Sequence, residues 1–575
     1  MNRKRKISGK DIFGYLFLGI SVVMLLRSLM LCFSNDIWYD ELFTVGMIEH
    51  SYGDLIAFTA RDVHPPLYYC IVKFIIELCK LISVQANAVV IAKVVSVLPY
   101  FILFAYSVTF IRRRFGIFTC GLFLFCAIAM PQLSAYTVEV RMYSFALLFV
   151  TAAFLHAYGT ITAGSATVDA HAHMRQIHAA ALVGYGLAAA YTQYFACVAV
   201  IMVYLYVLIV FLLGDRNRIK EWLLWAAISV AGYIPWLYAL FRQITTVREN
   251  YWILPLTWRS LGGCVKFVMK PAFNNGILSV MLAVVMFAIC ALVFVYGAVK
   301  VCHYGIEKYK NAQNMSEIDS ARMIQTGLQT NGHSKEHSEA ENETQNRNQD
   351  EDLHQNYVER FGFALAGVGV LIGLVVFGFV ASALLRPIFV YRYMIPALGC
   401  FWLGFAVVFN EMWEKSMLCK PMSERVKLIF TAITICLLVI GLRDYWAFMG
   451  EEEYKILLMQ QTGEALSAIA PDDIVIYNFD QVQAVTSYYM DDATESYLWC
   501  GTPETLIQEI IRPYDTVEDV QAIKTWCEED RRVWFIGSFN SREDIIAEWE
   551  ADGLHVEETG SYLLERYWFN LYKIF

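Results

Sequence analysis

Long runs of apolar residues, separated by short polar segments, fill the chain from residue 12 to residue 442. A helix of about 17–25 mostly apolar residues is long enough to cross the hydrocarbon core of a bilayer. Residues 1–442 are therefore predicted to form about eleven membrane spans, some of them short enough to lie partly at the interface. The remaining residues alternate short apolar runs with polar segments, which is typical of a small soluble domain with buried strands.

The basic residues predict how these spans are threaded, because lysine and arginine favour the cytoplasmic side of a membrane. Residues 3–6 are all basic and predict a cytoplasmic N-terminus followed by an uncleaved first span. Two apolar stretches, residues 66–84 and 88–111, lie between the first span and the basic cluster at residues 112–114. If both stretches crossed the membrane, this basic cluster would lie outside, so only one of them is predicted to cross. Residues 66–84 carry three charged side chains, so we predict an amphipathic helix on the outer interface there and a returning span at residues 88–111.

Two further segments are too polar to span a membrane. Residues 303–359 are rich in Asn, Gln, Glu, Ser and Lys, which predicts a cytoplasmic loop without regular structure. Residues 443–575 are predicted to form a small, acidic, extracytoplasmic α/β domain. Its predicted elements are strand 473–477, helix 502–511, strand 532–537, helix 542–551 and a terminal edge strand or hairpin at 562–575.

Composition agrees with a membrane protein that carries a soluble tail. Hydrophobic residues make up 57% of the chain and charged residues 17%, whereas soluble domains average about 45–50% and about 25%. Residues 451–575 contain 26 acidic and 8 basic side chains, a net charge of −18, while residues 1–450 carry +9. Neither part favours nucleic acid as a partner. The short loops and the compact tail predict a bacterial plasma membrane.

The fourteen cysteines include no C-x-x-C pair. Most of them lie inside apolar runs, where cysteine is a typical small hydrophobic residue. Cys500 and Cys527 could form a disulfide if the tail is extracytoplasmic, and the sequence leaves this open.

Two adjacent carboxylates follow two aromatic residues just beyond the first span. Asp40 and Glu41 come directly after Trp38 and Tyr39. Charges so close to lipid are costly and usually functional, and an aspartate at an apolar interface can act as a general base near neutral pH. The alternative is an aromatic belt followed by a helix-start carboxylate, which is common at membrane surfaces.

Two later polar clusters could bind an anion. His64 follows Asp62 and precedes two prolines, so it could contact a phosphate or a metal, or be a solvated residue at a helix start. Glu139, Arg141 and Tyr143 stand at the mouth of another span. Arginine holds phosphate oxygens bidentately, and the alternative is an interfacial Glu–Arg ion pair.

Arg386 and Arg392 add two more guanidinium groups beside aromatic residues such as Tyr393. Singly, such arginines are most often anchors that extend to the membrane surface. Together they would form a cationic pocket at headgroup depth, suited to a lipid-linked phosphate. The predicted threading puts all these polar clusters, with Gln193, on the outer face, which is expected of one active site and not of scattered loop charges.

The segments Trp38–Glu41, Val63–Tyr69 and Glu139–Tyr143 resemble motifs of the GT-C membrane glycosyltransferases. Within that superfamily the chain looks like the branch of the protein O-mannosyltransferases and the bacterial aminoarabinose and Rgt-type sugar transferases. Segments that look like later landmarks of the family are Tyr191–Tyr194, Tyr251–Pro255 and Arg386–Tyr393. The resemblance covers roughly residues 1–442 and does not extend to the tail.

The resemblance implies a GT-C-like fold and extracytoplasmic transfer of a hexose or pentose from a polyprenyl-phosphate-linked donor. It implies a catalytic aspartate in the first loop, which corresponds to Asp40 with Glu41 adjacent, and an arginine that corresponds to Arg141. The chain departs from the family at Gln193, where many relatives have a histidine. This departure puts a role of that position in acid–base chemistry in doubt.

The expected site contains catalytic Asp40 and Glu41, phosphate-binding His64, Arg141, Arg386 and Arg392, and pocket residues Trp38, Tyr39, Asp62, Glu139, Tyr143, Gln193, Tyr251, Trp252 and Tyr393. Asp40 is expected to deprotonate an acceptor hydroxyl, which attacks the anomeric carbon with inversion while arginines hold the phosphate. Asp40, Glu41 and His64 could also bind a divalent cation. The acceptor, whether protein, glycan or lipid, stays open. The alternatives are a lipid-linked sugar flippase or other membrane transporter, and an inactive relative that only binds.

Overall fold

The computed structural model of the protein describes residues 8–83, 86–163, 169–246, 255–326, 337–418, 424–501, 505–564 and 567–575. The first part of the chain is helical. Its helices are α1 (Gly9–Leu31), α2 (Tyr39–Glu49), α3 (Tyr52–Arg61), α4 (Leu67–Leu81), α5 (Ala88–Tyr106), α6 (Arg112–Ala129), α7 (Tyr143–Thr162), α8 (Asp169–Ala190), α9 (Tyr194–Leu213), α10 (Ile219–Thr246), α11 (Arg259–Met269), α12 (Gly276–Thr326), α13 (His337–Leu384), α14 (Ile395–Leu418) and α15 (Glu424–Leu466). Short 3-10 turns occupy Ala135–Thr137, Arg216–Arg218 and Tyr391–Met394.

Among the described residues, nine helical stretches are long and apolar enough to cross a membrane. They are Gly9–Leu31, Ala88–Ala129, Tyr143–Thr162, Tyr194–Leu213, Arg216–Ile244, Gly276–Ile306, Glu359–Leu384, Tyr391–Glu414 and Glu424–Leu466. An apolar helix of this length satisfies its backbone hydrogen bonds internally, as the hydrocarbon core requires. The protein is therefore a multi-pass membrane protein.

The stretch Ala88–Ala129 contains two spans, because the chain reverses direction at Gly116. The backbone at Gly116 has φ +87° and ψ 173°, a conformation that residues with a Cβ rarely adopt. Both ends of the stretch lie on the same side of the bundle. Near its start, Lys93 pairs with Asp36 at 2.6 Å, and the loop that follows α6 is hydrogen-bonded to α2.

Helix α8 is less apolar than its neighbours but returns the chain to that same side. The carbonyl of Tyr191, just after α8, accepts a hydrogen bond of 3.0 Å from the backbone N–H of Leu67. Nine stretches of the described helices are long and apolar enough to cross. Dividing α5 from α6 and adding the less apolar α8 would give the eleven spans that the apolar pattern predicts.

Helix α4 is the predicted amphipathic helix of residues 66–84. It has 15 residues, and its buried face is formed by Tyr68, Tyr69, Val72 and Ile76, whose spacing of one to four residues follows one side of a helix. This face packs towards α2 and α5. The helix is too short to cross a bilayer. The segment that contains His64 leads directly into it.

Residues 303–326 and 337–359 are helical, where the composition predicts a loop without regular structure. Helix α12 continues to Thr326, and α13 begins at His337. The segment 303–359 contains no proline, and its Glu, Gln, Lys and Ala residues are good helix formers. Backbone propensity therefore extends two apolar spans into polar sequence.

The tail is an α/β domain whose six-stranded sheet has the order β3-β2-β1-β4-β6-β5. Its elements are β1 (Ile474–Tyr477), α16 (Asp480–Ser487), β2 (Glu495–Trp499), α17 (Thr505–Ile510), β3 (Asp515–Val517), α18 (Val520–Glu528), β4 (Val533–Ser538), α19 (Ser541–Ala551), β5 (Val556–Leu564) and β6 (Tyr567–Ile574). Strands β1 to β4 are parallel, whereas β5 and β6 form an antiparallel hairpin beside β4. The predicted strands, helices and terminal hairpin are all present, and the sheet adds β2 and β3.

The predicted domain boundary at residue 442 lies inside α15, which continues unbroken to Leu466. The helix therefore joins the last span to the tail without a flexible linker. Cys500 and Cys527 of the tail are both free cysteines.

The tail packs on α2, the short helix that begins with the candidate catalytic residues. Leu42 and Val45 of α2 belong to the apolar core of the tail, whereas Met47 and Ile48 belong to the core of the membrane domain. Burial of each such side chain contributes about 1.5–3 kcal/mol. Gly46 lets the backbone carbonyl of Ile510 approach α2 so closely that a Cβ would collide with it. Helix α2 is thus fixed from both sides.

Candidate active site

The site is built around the first turn of α2. Trp38 has an extended backbone (φ −112°, ψ 169°), and its N–H donates to Glu41 Oε2 at 3.1 Å. Asp40 and Glu41 both lie in the first turn, where unpaired N–H groups and the helix dipole favour negative charge. The sequence Trp-Tyr-Asp-Glu therefore begins a helix and presents two neighbouring carboxylates in different directions.

Glu41 joins α2 to the loop before α7. Its Oε1 accepts a 2.6 Å hydrogen bond from the N–H of Val140, and Thr44 Oγ1 donates to the Val140 carbonyl at 2.9 Å. The Glu41 side chain is buried, with 5% of the residue exposed. These contacts make Glu41 the residue that holds α2 against the loop, and its carboxylate is occupied by two backbone donors.

Asp40 meets two arginines that come from distant parts of the sequence. Arg392 Nη1 donates to Asp40 Oδ2 at 2.8 Å, and Arg141 Nη1 donates to the Asp40 carbonyl at 2.8 Å. The side chains of Asp40 and Arg392 are 22% and 24% exposed, so the pair lies at an accessible edge of the site. The Arg141 side chain is buried, and its backbone N–H donates to the Glu139 carbonyl at 2.7 Å.

Asp62 and His64 form a second polar pair. His64 Nδ1 lies 3.2 Å from Asp62 Oδ2. Burial lowers the pKa of His64 despite the nearby carboxylate. Burial alone would raise the pKa of Asp62, but His64, the backbone N–H of Val63 and the charge of Arg141 together outweigh it, and the pKa is lowered. An ionised Asp62 beside a neutral His64, which donates from Nδ1 and leaves Nε2 as an acceptor, fits these directions.

Several buried polar atoms of this region have no hydrogen-bond partner within the described part of the chain. They are Arg141 Nε, Arg392 Nε, the hydroxyls of Tyr69 and Tyr143, and both amide atoms of Gln193. Buried polar groups in native proteins are nearly always paired, so unpaired donors in one region indicate a polar ligand or ordered water. Each of these residues except Tyr69 is among the predicted site residues.

Two carboxylates in the site are held partly protonated by their surroundings. Burial raises the pKa of Glu41 to about 7, although Lys93 and the Val140 N–H oppose the shift. Burial, with the charge of Glu41 second, raises the pKa of Glu139 to about 8. Asp40 is therefore accompanied by two acids that titrate near neutral pH.

The stability of the protein should fall as pH rises through this range. Between pH 4.5, the ordinary pKa of glutamate, and pH 8, the folded protein holds protons that the unfolded chain has released, so the free energy of unfolding decreases and levels off above that window. Thermal unfolding followed by fluorescence in detergent should show a midpoint that decreases from about pH 5 to about pH 9. Glu139→Gln cannot ionise and should flatten the curve, whereas the exposed Glu77→Gln should not. Equal slopes in wild type and Glu139→Gln would contradict this assignment.

Substitution of Glu41 should separate its structural contacts from its charge. Glu41→Ala leaves the N–H groups of Trp38 and Val140 without acceptors and should lower the free energy of unfolding by about 1–3 kcal/mol. Glu41→Gln keeps an acceptor oxygen and should lose much less. Denaturation of both variants in the same detergent measures the difference; equal losses would show that the carboxylate charge, and not the hydrogen bonds, holds α2.

The remaining predicted site residues have different positions. Trp38 and Tyr39 flank Asp40 and are half-buried. Tyr393 is buried and stacks on Phe195 with ring centroids 4.8 Å apart. Arg386 is half-buried in the segment that joins α13 to the turn at Tyr391–Met394. Tyr251 and Trp252 lie outside the described residues.

One functional-looking pair was missed by the sequence reasoning. Lys93, near the start of the apolar helix α5, is buried and donates to Asp36 Oδ1 at 2.6 Å and to Ser34 Oγ at 3.0 Å. A lysine inside a span is costly unless it has a polar or charged partner. The position of Lys93 in an apolar run could therefore have predicted that it forms an ion pair. The pair ties the segment before α2 to α5.

Among the described residues, no group of three or more His, Cys, Asp or Glu side chains is arranged to hold a metal ion. Glu41 is directed to backbone N–H groups, Asp40 to Arg392, and His64 to Asp62. These three predicted ligands therefore do not share one set of free oxygen and nitrogen donors.

No family model matches the chain, and no curated protein matches it in sequence. Its structure is similar to that of ArnT from Cupriavidus metallidurans in the apo state, with a TM-score of 0.52 and 11% identity over 97% of each chain. ArnT bound to undecaprenyl phosphate aligns with a TM-score of 0.48 and 12% identity over 97% of each chain. The oligosaccharyltransferase AglB from Archaeoglobus fulgidus aligns with a TM-score of 0.38 and 10% identity, over 91% of this chain and 69% of AglB. The likeness to apo ArnT includes the tail, and the chain therefore has the GT-C fold that its three sequence motifs predict.

Proposed function

We propose that the protein transfers a sugar from a polyprenyl-phosphate-linked donor to an acceptor hydroxyl. The observation that carries this proposal is the convergence on Asp40 of Arg392, at its carboxylate, and Arg141, at its carbonyl. A carboxylate beside guanidinium groups provides a base and a phosphate-binding group in one pocket. Glycosyl transfer is also the activity of the aminoarabinose transferase whose fold the chain shares.

In the proposed reaction, Asp40 takes the proton of the acceptor hydroxyl while that oxygen bonds to the anomeric carbon. The bond between the anomeric carbon and the phosphate oxygen breaks on the opposite face, so the configuration inverts and the electron pair leaves with the polyprenyl phosphate. A phosphate is a good leaving group when cations hold it, so no general acid is required. The proton on Asp40 returns to solvent across its exposed edge.

The unpaired donors support a phosphate position next to Asp40. Arg141 Nε, Arg392 Nε and the Tyr143 hydroxyl can donate to an anion without breaking any described hydrogen bond. Without substrate, Arg392 neutralises Asp40. A phosphate that draws Arg392 towards itself leaves the Asp40 carboxylate free to act as the base, which would couple donor binding to activation of the acceptor.

A flippase or other transporter for lipid-linked sugars is the second candidate, and Arg27 within the first span is the residue that favours it. An ionisable side chain inside a span often marks a transport pathway. The two functions differ in their products. Full-length protein in liposomes, supplied with a radiolabelled polyprenyl-phosphate sugar, should release polyprenyl phosphate and move the label to an acceptor or to water. Movement of the intact lipid across the bilayer without release would overturn the transferase and support the flippase.

We also propose that the tail and the site face the extracytoplasmic side, since this orientation leaves the basic residues 112–114 in the cytoplasm. Cys500 is an exposed, free cysteine of the tail, and Cys302 is an exposed cysteine four residues before the end of the α12 span Gly276–Ile306. A membrane-impermeant maleimide added to intact cells should modify Cys500 and should modify Cys302 only after lysis. The opposite pattern would reverse the orientation.

A further inference from the structure

A groove of about 1100 Å³ lies between α1 and α15, apart from the residues that surround Asp40. Residues that define it include Gly19, Val23 and Arg27 on α1, and Trp446, Gly450 and Glu453 on α15. The groove is apolar along most of its length, and Arg27 and Glu453 are its only charged residues. The proposed sugar transfer makes no use of it.

Small residues keep the groove open. A Cβ added at Gly19 or at Gly450 would meet no atom within 4 Å. The two helices are held together on the inner side of the groove, where the Tyr445 hydroxyl donates to the Met24 carbonyl at 2.6 Å and lies 3.0 Å from Ser28 Oγ. The groove therefore lies between two helices that these hydrogen bonds hold together.

The surroundings of the groove determine what class of molecule can fill it. Both α1 and α15 are membrane-spanning stretches. The lining residues of α1 extend from Tyr15 to Met30, which at 1.5 Å per residue is about 22 Å, most of the roughly 30 Å hydrocarbon core. An apolar groove of that length along a membrane-spanning helix matches the dimensions of lipid chains.

The charges at one end of the groove define a headgroup site. Arg27 Nη2 lies 3.3 Å from Glu453 Oε1, and the two side chains are 52% and 59% exposed. Arg27 precedes the end of α1 by four residues, so the pair lies near the membrane surface on the same side as Asp40. A guanidinium binds phosphate oxygens, and a carboxylate accepts hydrogen bonds from an ammonium group.

We propose that this groove binds one zwitterionic phospholipid with a primary amine, of the phosphatidylethanolamine type. Its phosphate contacts Arg27, its ammonium contacts Glu453, and its chains lie along Gly19, Val23, Trp446 and Gly450. Arg27 then exchanges the carboxylate of Glu453 for the lipid phosphate, and Glu453 exchanges the guanidinium of Arg27 for the lipid ammonium. Each residue keeps a partner of opposite charge. A lipid with a phosphate and no amine places a second negative charge beside Glu453, and a trimethylated amine has no N–H to donate.

The site reaches the candidate active site through hydrogen bonds. Ser28 Oγ accepts from Thr137 Oγ1 at 3.1 Å, and Thr137 precedes the Glu139–Arg141 segment by two residues. The bound lipid would thus contact helix α1, which is hydrogen-bonded to the loop that carries Glu139 and Arg141. The lipid proposal does not depend on the proposed sugar transfer, because it is tested by binding alone.

Native mass spectrometry of the full-length protein in detergent, titrated with dioleoyl phosphatidylethanolamine, tests the proposal. The wild type should retain one molecule of this lipid in preference to phosphatidylglycerol, phosphatidylcholine and undecaprenyl phosphate. Arg27→Gln should weaken binding by about tenfold, the effect of losing one charge-assisted contact. Glu453→Gln should abolish the preference over phosphatidylglycerol while binding of a phospholipid persists.

A filled groove provides the matched control. Gly19→Leu places a side chain in the groove from a Cβ position that has no atom within 4 Å, and it should prevent lipid retention. Gly369→Leu adds the same side chain at another exposed helical glycine with no atom within 4 Å, outside the groove, and should retain the lipid. Equal retention by both variants, or a wild-type preference for any of the other three lipids, would overturn the proposal.

Discussion

Asp40→Asn is expected to reduce the rate of sugar transfer by about 10²–10⁴-fold, the usual contribution of a general base. The amide has nearly the shape of the carboxylate, so the first turn of α2 and its contacts with the tail should remain. It cannot accept the proton of the acceptor hydroxyl, and its weaker contact with Arg392 leaves that cation without a counter-charge. Initial rates with a labelled polyprenyl-phosphate sugar at saturating donor measure the loss.

Asp54→Asn is the matched control, because Asp54 also lies in the first turn of a short helix, α3, near the same surface. Its carboxylate is exposed and accepts a hydrogen bond from the neighbouring Ser51 hydroxyl. The control should keep the wild-type rate, and both variants should keep the wild-type thermal midpoint. Turnover within a few-fold of wild type in Asp40→Asn would exclude Asp40 as the base.

Arg392→Gln should lower the rate by about 10²–10³-fold, the cost of removing one preorganised group that stabilises developing charge. The residue contacts Asp40 and retains an unpaired buried Nε, so its loss removes both the restraint on the base and one donor to the leaving phosphate. The double variant with Asp40→Asn should be hardly slower than the worse single variant, because residues that act as a unit are not additive. Rates of the four proteins in one assay measure this.

Arg259→Gln serves as the control for Arg392→Gln. Arg259 is exposed at the start of α11 and packs over the Trp258 ring at 5.7 Å. Its loss should leave the rate unchanged. If the effects of Asp40→Asn and Arg392→Gln multiply in the double variant, the two residues act independently and the proposed unit is wrong.

The roles of neighbouring residues illustrate where sequence reasoning reached its limit. Asp40 and Glu41 are adjacent, carry the same chemistry and were both expected to be catalytic. In the structure they diverge: Glu41 is buried against the N–H of Val140, 99 positions away, while Asp40 faces Arg392, 352 positions away. No local pattern contains those partners, so only the packed structure separates the carboxylate that accepts backbone hydrogen bonds from the one that pairs with an arginine.

The pattern of apolar and polar residues by itself determined the class of protein, the positions of most of its long apolar helices, the amphipathic helix α4 and the α/β nature of the tail. These features follow from the period of the apolar positions and from length, which are local properties. Three motifs were also enough to predict the GT-C fold. The helical course of residues 303–326 and 337–359 was missed because polar composition was given more weight than the absence of proline.

Only the tertiary structure decided which arginine meets Asp40, that Glu41 accepts backbone hydrogen bonds, that Lys93 pairs with Asp36, and that α15 carries the last span into the tail and borders a lipid-sized groove. Each depends on distances between residues far apart in the chain. Such distances are set by how helices pack, and a sequence of apolar runs is compatible with many packings. The physical reason is that hydrophobic burial is non-directional and specifies that a segment is buried, whereas ion pairs and hydrogen bonds require one exact geometry.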